Sequence, residues 1–167
     1  MALRAVFPGT FDPIHYGHID IVRRGCALFD EVIVAVYDRS LKNVLFSSEE
    51  RIELVEKAFI KDDKVKIKSY NGLTVDFCSS VDAKIVLRGL RVFSDFEHEF
   101  RMALANRRLA QNIDTVSLIT SEQHTFLSST TVREIASLGG DVSSMVPDFV
   151  QQALEKKLTE AYTTGKY

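Results

Sequence analysis

The chain has 167 residues, 46% of them hydrophobic and 26% charged, with eleven Phe, which are the proportions of a water-soluble chain folding as one domain. Its 21 Lys and Arg against 23 Asp and Glu leave a formal net charge of -2. That excludes a surface built to coat nucleic acid or an anionic membrane, so any anion site must be local.

No run of about 18 apolar residues occurs, and the opening apolar stretch breaks at Pro8-Gly9, so neither a spanning helix nor a signal-peptide core is expected. Cys26 and Cys78 lie inside apolar-periodic segments and read as buried free thiols, which fits a cytoplasmic protein.

In chain order, Leu3 to Phe7 reads as a short apolar strand, and Ile19, Val22, Cys26 and Phe29 then fall at helical spacing. Glu31 to Asp38 is a β-branched run of the kind buried on both faces of a parallel sheet. Ser47 and Glu50 form a capping box ahead of a helix with Ile52, Val55 and Phe59 on one face. A third strand, Val65 to Tyr70, leads through Asn71-Gly72 into a helix from about Leu73 to Val81.

Lys84 to Arg88 makes a fourth strand, after which Ser94 and Glu97 read as a second capping box, opening a helix that runs to about Gln111. Val116 to Thr120 is the fifth strand. Ser129 or Thr130 starts another helix that Gly139-Gly140 ends, and Pro147 suits the first turn of a last helix over about 147–162. Alternating strands and helices on short connections predict a single-domain α/β fold, 1–167, with a doubly wound five-stranded parallel sheet. In such a sheet ligands bind beyond the carboxyl ends of the strands where the strand order reverses. The loops after strands one, four and five are therefore the ones to inspect.

The first of these loops, from Pro8 to His18, delivers His15 and His18 to a helix start, where backbone amides and the positive end of the helix dipole suit a phosphate. Asp12, His15 and His18 also offer a carboxylate and two imidazoles to a metal, the lesser reading of the same loop. Arg88 and Arg91 at the end of strand four read as a polyphosphate clamp, because guanidinium binds phosphate oxygens two at a time and keeps its charge. Lys42 adds a point charge after strand two. The segment from Thr125 to Thr131 gathers hydroxyls and free amides at another helix start. Neither a P-loop nor a GxGxxG fingerprint is present.

Three strings, GTFDPIHYGH, RGLRVFSDFEHE and LSSTTVR, together resemble the nucleotidylyltransferase superfamily with its HxGH and SSTxxR signatures. The likeness is closest to the bacterial phosphopantetheine adenylyltransferase family and runs from Ala5 to about Leu158. It implies a Rossmann-like nucleotidyltransferase fold and transfer of an adenylyl group from ATP to 4'-phosphopantetheine, giving dephospho-CoA and pyrophosphate. It also implies Mg2+ carried by the ATP phosphates with no direct protein ligand, a homohexamer, and coenzyme A feedback. By position it implies ATP contacts at Thr10, Phe11, His18, Gly89, Leu90, Arg91, Glu99, His124, Thr125, Phe126, Leu127, Ser128, Ser129 and Thr130.

The acceptor contacts implied are Thr10, Lys42, Leu73, Thr74 and Arg88, with His18 as transition-state stabiliser and Lys42, Arg91 and Thr10 beside it in catalysis. The chain departs from the common family pattern at His15, where Thr is frequent, at His98, where Tyr is common, and at His124, where a large aromatic often stands. A sister enzyme acting on nicotinamide mononucleotide or glycerol phosphate is the alternative, and a non-catalytic nucleotide-binding module is the reading from another class.

Overall fold

The computed structural model describes residues 2–38 and 43–163. Strands β1 (Arg4–Gly9), β2 (Glu31–Tyr37), β3 (Val65–Tyr70), β4 (Ile85–Leu90) and β5 (Asp114–Ile119) form one all-parallel sheet in the order β3-β2-β1-β4-β5. Between and after them run α1 (Tyr16–Leu28), α2 (Ser48–Ala58), α3 (Thr74–Ser80), α4 (Phe93–Leu109), α5 (Ser129–Ser137) and α6 (Asp148–Thr163). The doubly wound α/β sheet is the one the periodicity predicts.

The two-residue period of the strands divides the core. Ala5, Phe7, Val32, Val34 and Leu87 face one layer with Ile21 and Val22 of α1, Leu54 and Val55 of α2, and Val150 and Leu154 of α6. Val6, Ile33, Ala35 and Val86 face the other layer with Val75 and Cys78 of α3. Each such aliphatic side chain contributes roughly 1.5–3 kcal/mol by leaving water, which is why the central strands carry the β-branched runs. At the β3 edge Lys66 and Lys68 are exposed, and charge there discourages pairing with another strand. Among the described residues no helix is long and apolar enough to cross a membrane.

The strand order reverses between β1 and β4, and the sheet opens there. β1 pairs with β2 along its whole length, from Arg4 opposite Glu31 to Gly9 opposite Val36, but pairs with β4 only at Ala5 and Val6. Pro8 accounts for the gap: its carbonyl turns toward β4, where it accepts from Arg88 Nη1 at 3.0 Å, and the nitrogen on that same side has no hydrogen to donate. A crevice therefore begins two residues before the end of β1.

Boundaries move by one or two residues relative to the sequence reading. β1 and β4 each run two residues further at their carboxyl ends, and β5 starts two residues earlier. The side chain of Ser94, half of the predicted capping box, lies outside the described residues; α4 has Val92 as N-cap with no side-chain cap, and Glu97 pairs with Arg101. Asp95 reaches back from the first turn to accept the Arg91 N–H at 3.2 Å. The Ser47 box forms as expected, with Glu50 N donating to Ser47 Oγ at 3.3 Å and Ser47 N to Glu50 Oε2 at 2.7 Å. Both cysteines are free; Cys78 is buried, and Cys26, expected buried, is half-buried because its helix edge meets solvent.

Candidate active site

The loop after β1 is shaped by contacts that leave no room for side chains at its glycines. Phe11 takes a left-handed φ of 52°, which lays its ring over Gly9; a Cβ at Gly9 would sit 2.9 Å from that ring. At Gly17 a Cβ would come within 3.0 Å of the His15 imidazole. His15 is the N-cap of α1 and His18 its third residue, and the two close a reciprocal cap: His18 N donates to His15 Nδ1 at 3.4 Å and His15 N to His18 Nδ1 at 3.3 Å. The imidazoles stack at 3.6 Å between centroids, and Phe11 meets His18 edge-on at 5.0 Å.

Those bonds decide the protonation state. Each Nδ1 accepts an N–H, so the neutral ring carries its proton on Nε2. Burial, then the Arg91 and His124 charges, push the His15 pKa down to about 3. Burial, then His15, Arg91 and Arg88, hold His18 well below the ordinary imidazole value. Near neutral pH His18 is thus a neutral Nε2–H donor on the wall of the crevice.

Buried charges anchor the loop from outside the crevice. Asp12 accepts from Leu45 N at 2.8 Å and Phe46 N at 2.9 Å, and Arg133 of α5 pairs with its Oδ2 at 3.2 Å and donates to its carbonyl. Arg51 of α2 donates from Nη1 to the carbonyls of Thr10 at 2.7 Å and Tyr37 at 2.9 Å. With its carboxylate committed to these partners, Asp12 does not join the imidazoles around a metal. Among the described residues no cluster of three or more His, Cys, Asp or Glu could hold one.

Across the crevice stand two arginines held in the same way. Arg88 donates from Nε and Nη2 to Glu99 at 2.7 and 2.6 Å, and from Nη1 to the Pro8 carbonyl. Arg91 donates from Nε and Nη2 to Asp95 at 2.9 and 3.2 Å, and from Nη1 to the Leu127 carbonyl at 2.8 Å. On the third side α5 begins at its N-cap Ser128, whose Oγ accepts from Thr131 N at 3.0 Å. Ser129 Oγ donates to the Pro13 carbonyl at 2.8 Å, which ties this helix start to the β1 loop. The starts of α1 and α5 thus border one space.

That space is a cavity of about 270 Å³, lined on its three sides by His18, Arg88, Arg91, His124 and Ser129, among others. A smaller cleft of about 100 Å³ adjoins it, with Thr74, His98 and Asn106 in its lining. Pro8, Arg88 and Glu99 line both. They form a shared wall.

The cytidylyltransferase-like family profile matches residues 6–135. Phosphopantetheine adenylyltransferase of Leptospira biflexa is 47% identical over 155 residues, 93% of this chain and 97% of that one. The same enzyme of a Roseiflexus species is 50% identical over 152 residues, 91% and 95% of the two chains; that of Geobacter metallireducens is 43% identical over 156 residues, 93% and 96%. The chain belongs to the phosphopantetheine adenylyltransferase family. Membership makes it a nucleotidyltransferase. Among solved structures, a bifunctional NMN adenylyltransferase/ADP ribose pyrophosphatase from Francisella tularensis shares the fold with a TM-score of 0.72 at 14% identity, over 100% of this chain and 54% of that one.

Of the residues singled out by the family resemblance, Phe11, His18, Arg88, Gly89, Arg91, Glu99, His124, Leu127, Ser128 and Ser129 line the larger cavity. Thr74 lies in the adjoining cleft, its Oγ1 3.1 Å from the Tyr70 hydroxyl. Thr10, Leu90, Thr125, Phe126, Thr130 and Leu73 line neither; Phe126 and Leu73 are exposed, and Thr10 presents its carbonyl to Arg51. Lys42 falls outside the described residues. Glu99, predicted as a nucleotide contact, has both carboxylate oxygens on Arg88.

Sequence reasoning passed over three residues of this adenylyltransferase family member: Asp95, Arg51 and Arg133. Asp95 had a signal, four residues beyond Arg91 at a helix start. Arg51 had a weaker one, a charge one position before Ile52 of the apolar face, on a helix that proves to bury it. Arg133 carried only its place in the SSTTVR string.

Proposed function

We propose that the protein catalyses the reversible transfer of an adenylyl group from MgATP to 4'-phosphopantetheine, giving dephospho-CoA and pyrophosphate, from one domain spanning the chain. The observation that carries this reading is the wall shared by the two cavities: Arg88 and Glu99 border both a space of about 270 Å³ and a smaller one of about 100 Å³, so that two phosphates held there meet beside one guanidinium. The names of the relatives supply the acceptor.

The acceptor attacks with an oxygen that is already anionic, because a phosphomonoester has its second pKa near ~6. No protein nucleophile or strong base is required. The bond from that oxygen to the α-phosphorus forms while the bond from α-phosphorus to the bridging oxygen breaks, and pyrophosphate leaves on the opposite side. The cost lies in bringing two polyanions together and in charge gathering on the α-phosphate, so positioning and fixed donors carry the catalysis.

His18 Nε2–H and the Gly17 amide serve the α-phosphate oxygens, the Tyr16 and His18 amides of the same turn being given to the Met145 carbonyl and to His15. Arg91 and the Ser129 helix start hold the β- and γ-phosphates, Arg88 and Lys42 the incoming phosphate, and Thr10 and Thr74 the acceptor side. Magnesium arrives as part of the substrate. The stretch from His124 to Thr130 borders the nucleoside, with His124 stacked against Tyr16 at 6.4 Å.

The protein is cytoplasmic and works as a homohexamer, an assembly supported by α4, one face of which leaves Phe96, Phe100 and Leu104 exposed. Coenzyme A, which contains the product, binds the same site as a feedback ligand. The deciding experiment is pyrophosphate release from MgATP with 4'-phosphopantetheine and nicotinamide mononucleotide as parallel acceptors. Release with phosphopantetheine alone supports the assignment; release with the mononucleotide alone replaces the acceptor; ATP binding without release from either points to a non-catalytic module.

A further inference from the structure

The two arginines of the crevice share one arrangement that phosphate binding alone does not call for. Each presents Nε and Nη2 to a carboxylate of α4 and Nη1 to a backbone carbonyl, Arg88 to Glu99 and Pro8, Arg91 to Asp95 and Leu127. Asp95 and Glu99 are one helical turn apart, so they lie on the same face of α4 and both border the cavity. A guanidinium has five N–H donors. Three are taken in each arginine, and the two left over sit on Nη1 and Nη2.

A carboxylate bordering a triphosphate site repels the very ligand the site collects. Asp95 is nonetheless ionised: burial pushes its pKa up, but the Arg91 hydrogen bonds and charge outweigh burial and hold it below the ordinary aspartate value. It must therefore supply something that offsets the repulsion. What it supplies is direction. The guanidinium is planar, so fixing one edge on Asp95 and one donor on the Leu127 carbonyl fixes where the remaining N–H groups point.

We propose that Asp95 is a positioning residue for adenylyl transfer, holding the Arg91 guanidinium so that its free edge meets the β- and γ-phosphates. This rests on the function proposed above. Asp95 touches no reacting atom; it acts through Arg91, and its charge opposes nucleotide binding while its geometry serves the reaction. The two effects separate in kinetics. D95N removes the charge and breaks the fork, because an amide N–H faces an arginine N–H. It lowers kcat about tenfold or more and leaves KM for ATP unchanged or lower. A purely structural role would instead lower the melting temperature and raise KM.

D95E keeps the charge and the acid at the helix start but displaces the guanidinium, so it lowers kcat without lowering the melting temperature, and it serves as the second variant if D95N fails to fold. In an Arg91→Lys background, where no fork exists, D95N changes kcat less than twofold further. Pyrophosphate release is measured for all of these beside the wild type. A kcat within twofold of wild type in either Asp95 variant, or an undiminished D95N effect in the Arg91→Lys background, overturns the proposal and leaves the assigned reaction standing. A wild type that releases no pyrophosphate with phosphopantetheine overturns both.

Discussion

Replacing His15 by Thr changes how stability responds to acid. His15 is 4% exposed, and burial, with Arg91 and His124, takes its pKa from 6.5 to about 3. The folded protein therefore keeps it neutral at a pH where the unfolded chain protonates it. The stability it contributes is complete above about 6.5, declines as the pH falls below that value, and is exhausted near 3. One pKa unit corresponds to 1.36 kcal/mol, so His15 alone removes ~2 kcal/mol by pH 5 and ~5 kcal/mol by pH 3. His18, stacked on it and lowered for the same reason, adds in the same direction.

Thr at position 15 caps the helix through its hydroxyl and does not titrate. Urea unfolding of both proteins at pH 5, 6, 7 and 8, at one protein concentration, gives wild type an extra loss of ~2 kcal/mol between pH 7 and 5 relative to H15T. Curves that stay parallel to within about 0.5 kcal/mol over that window would refute the claim that the HxGH pair is buried and neutral.

His18→Ala removes one preorganised donor and lowers kcat roughly 100-fold, with a fall in melting temperature because half of the reciprocal cap goes with it; a loss under threefold means His18 is not the α-phosphate donor. Because His15 and His18 stay neutral in the free protein, kcat/KM for the acceptor rises with pH through one inflection near ~6, that of the acceptor phosphate, and the midpoint is the same in H15T; a midpoint that moves contradicts this. Asp12→Asn leaves Arg133 without its buried partner and costs ~3 kcal/mol, read as a fall in the urea midpoint at unchanged slope; an unaltered midpoint rules out the anchor. Replacing both Phe96 and Phe100 by Ser, two exposed rings stacked at 5.8 Å, breaks the proposed hexamer into smaller species in sedimentation; an unchanged mass places the interface elsewhere.

Much of this molecule was legible before any coordinates. The β-branched run of β2 could only be a strand buried on both faces, and the alternation of strands and helices left a doubly wound sheet as the solution. The three strings that carry the family likeness lie at the ends of β1 and β4 and at the start of α5, where such a sheet keeps its ligands. These are local properties, set by period, by turn residues and by the chemical type of a side chain.

What remained hidden was partnership across distance in the chain. His15 and His18 were readable as phosphate donors, but their neutrality follows from stacking and burial that no spacing displays. Glu99 read as a nucleotide contact, but its pairing through both oxygens with Arg88, 11 residues away, is not something that spacing displays. Asp12 offered only the lesser, metal reading of its loop, and its actual role, with Leu45, Phe46 and Arg133 as partners, joins residues far apart in the chain. Which elements form and which residues gather at the strand ends follow from local pattern, because backbone geometry and hydrophobic period act over a few residues. Which charges face each other and which are buried follow from the packed fold, because Coulomb energy and desolvation depend on separations that exist once the sheet and its helices have assembled.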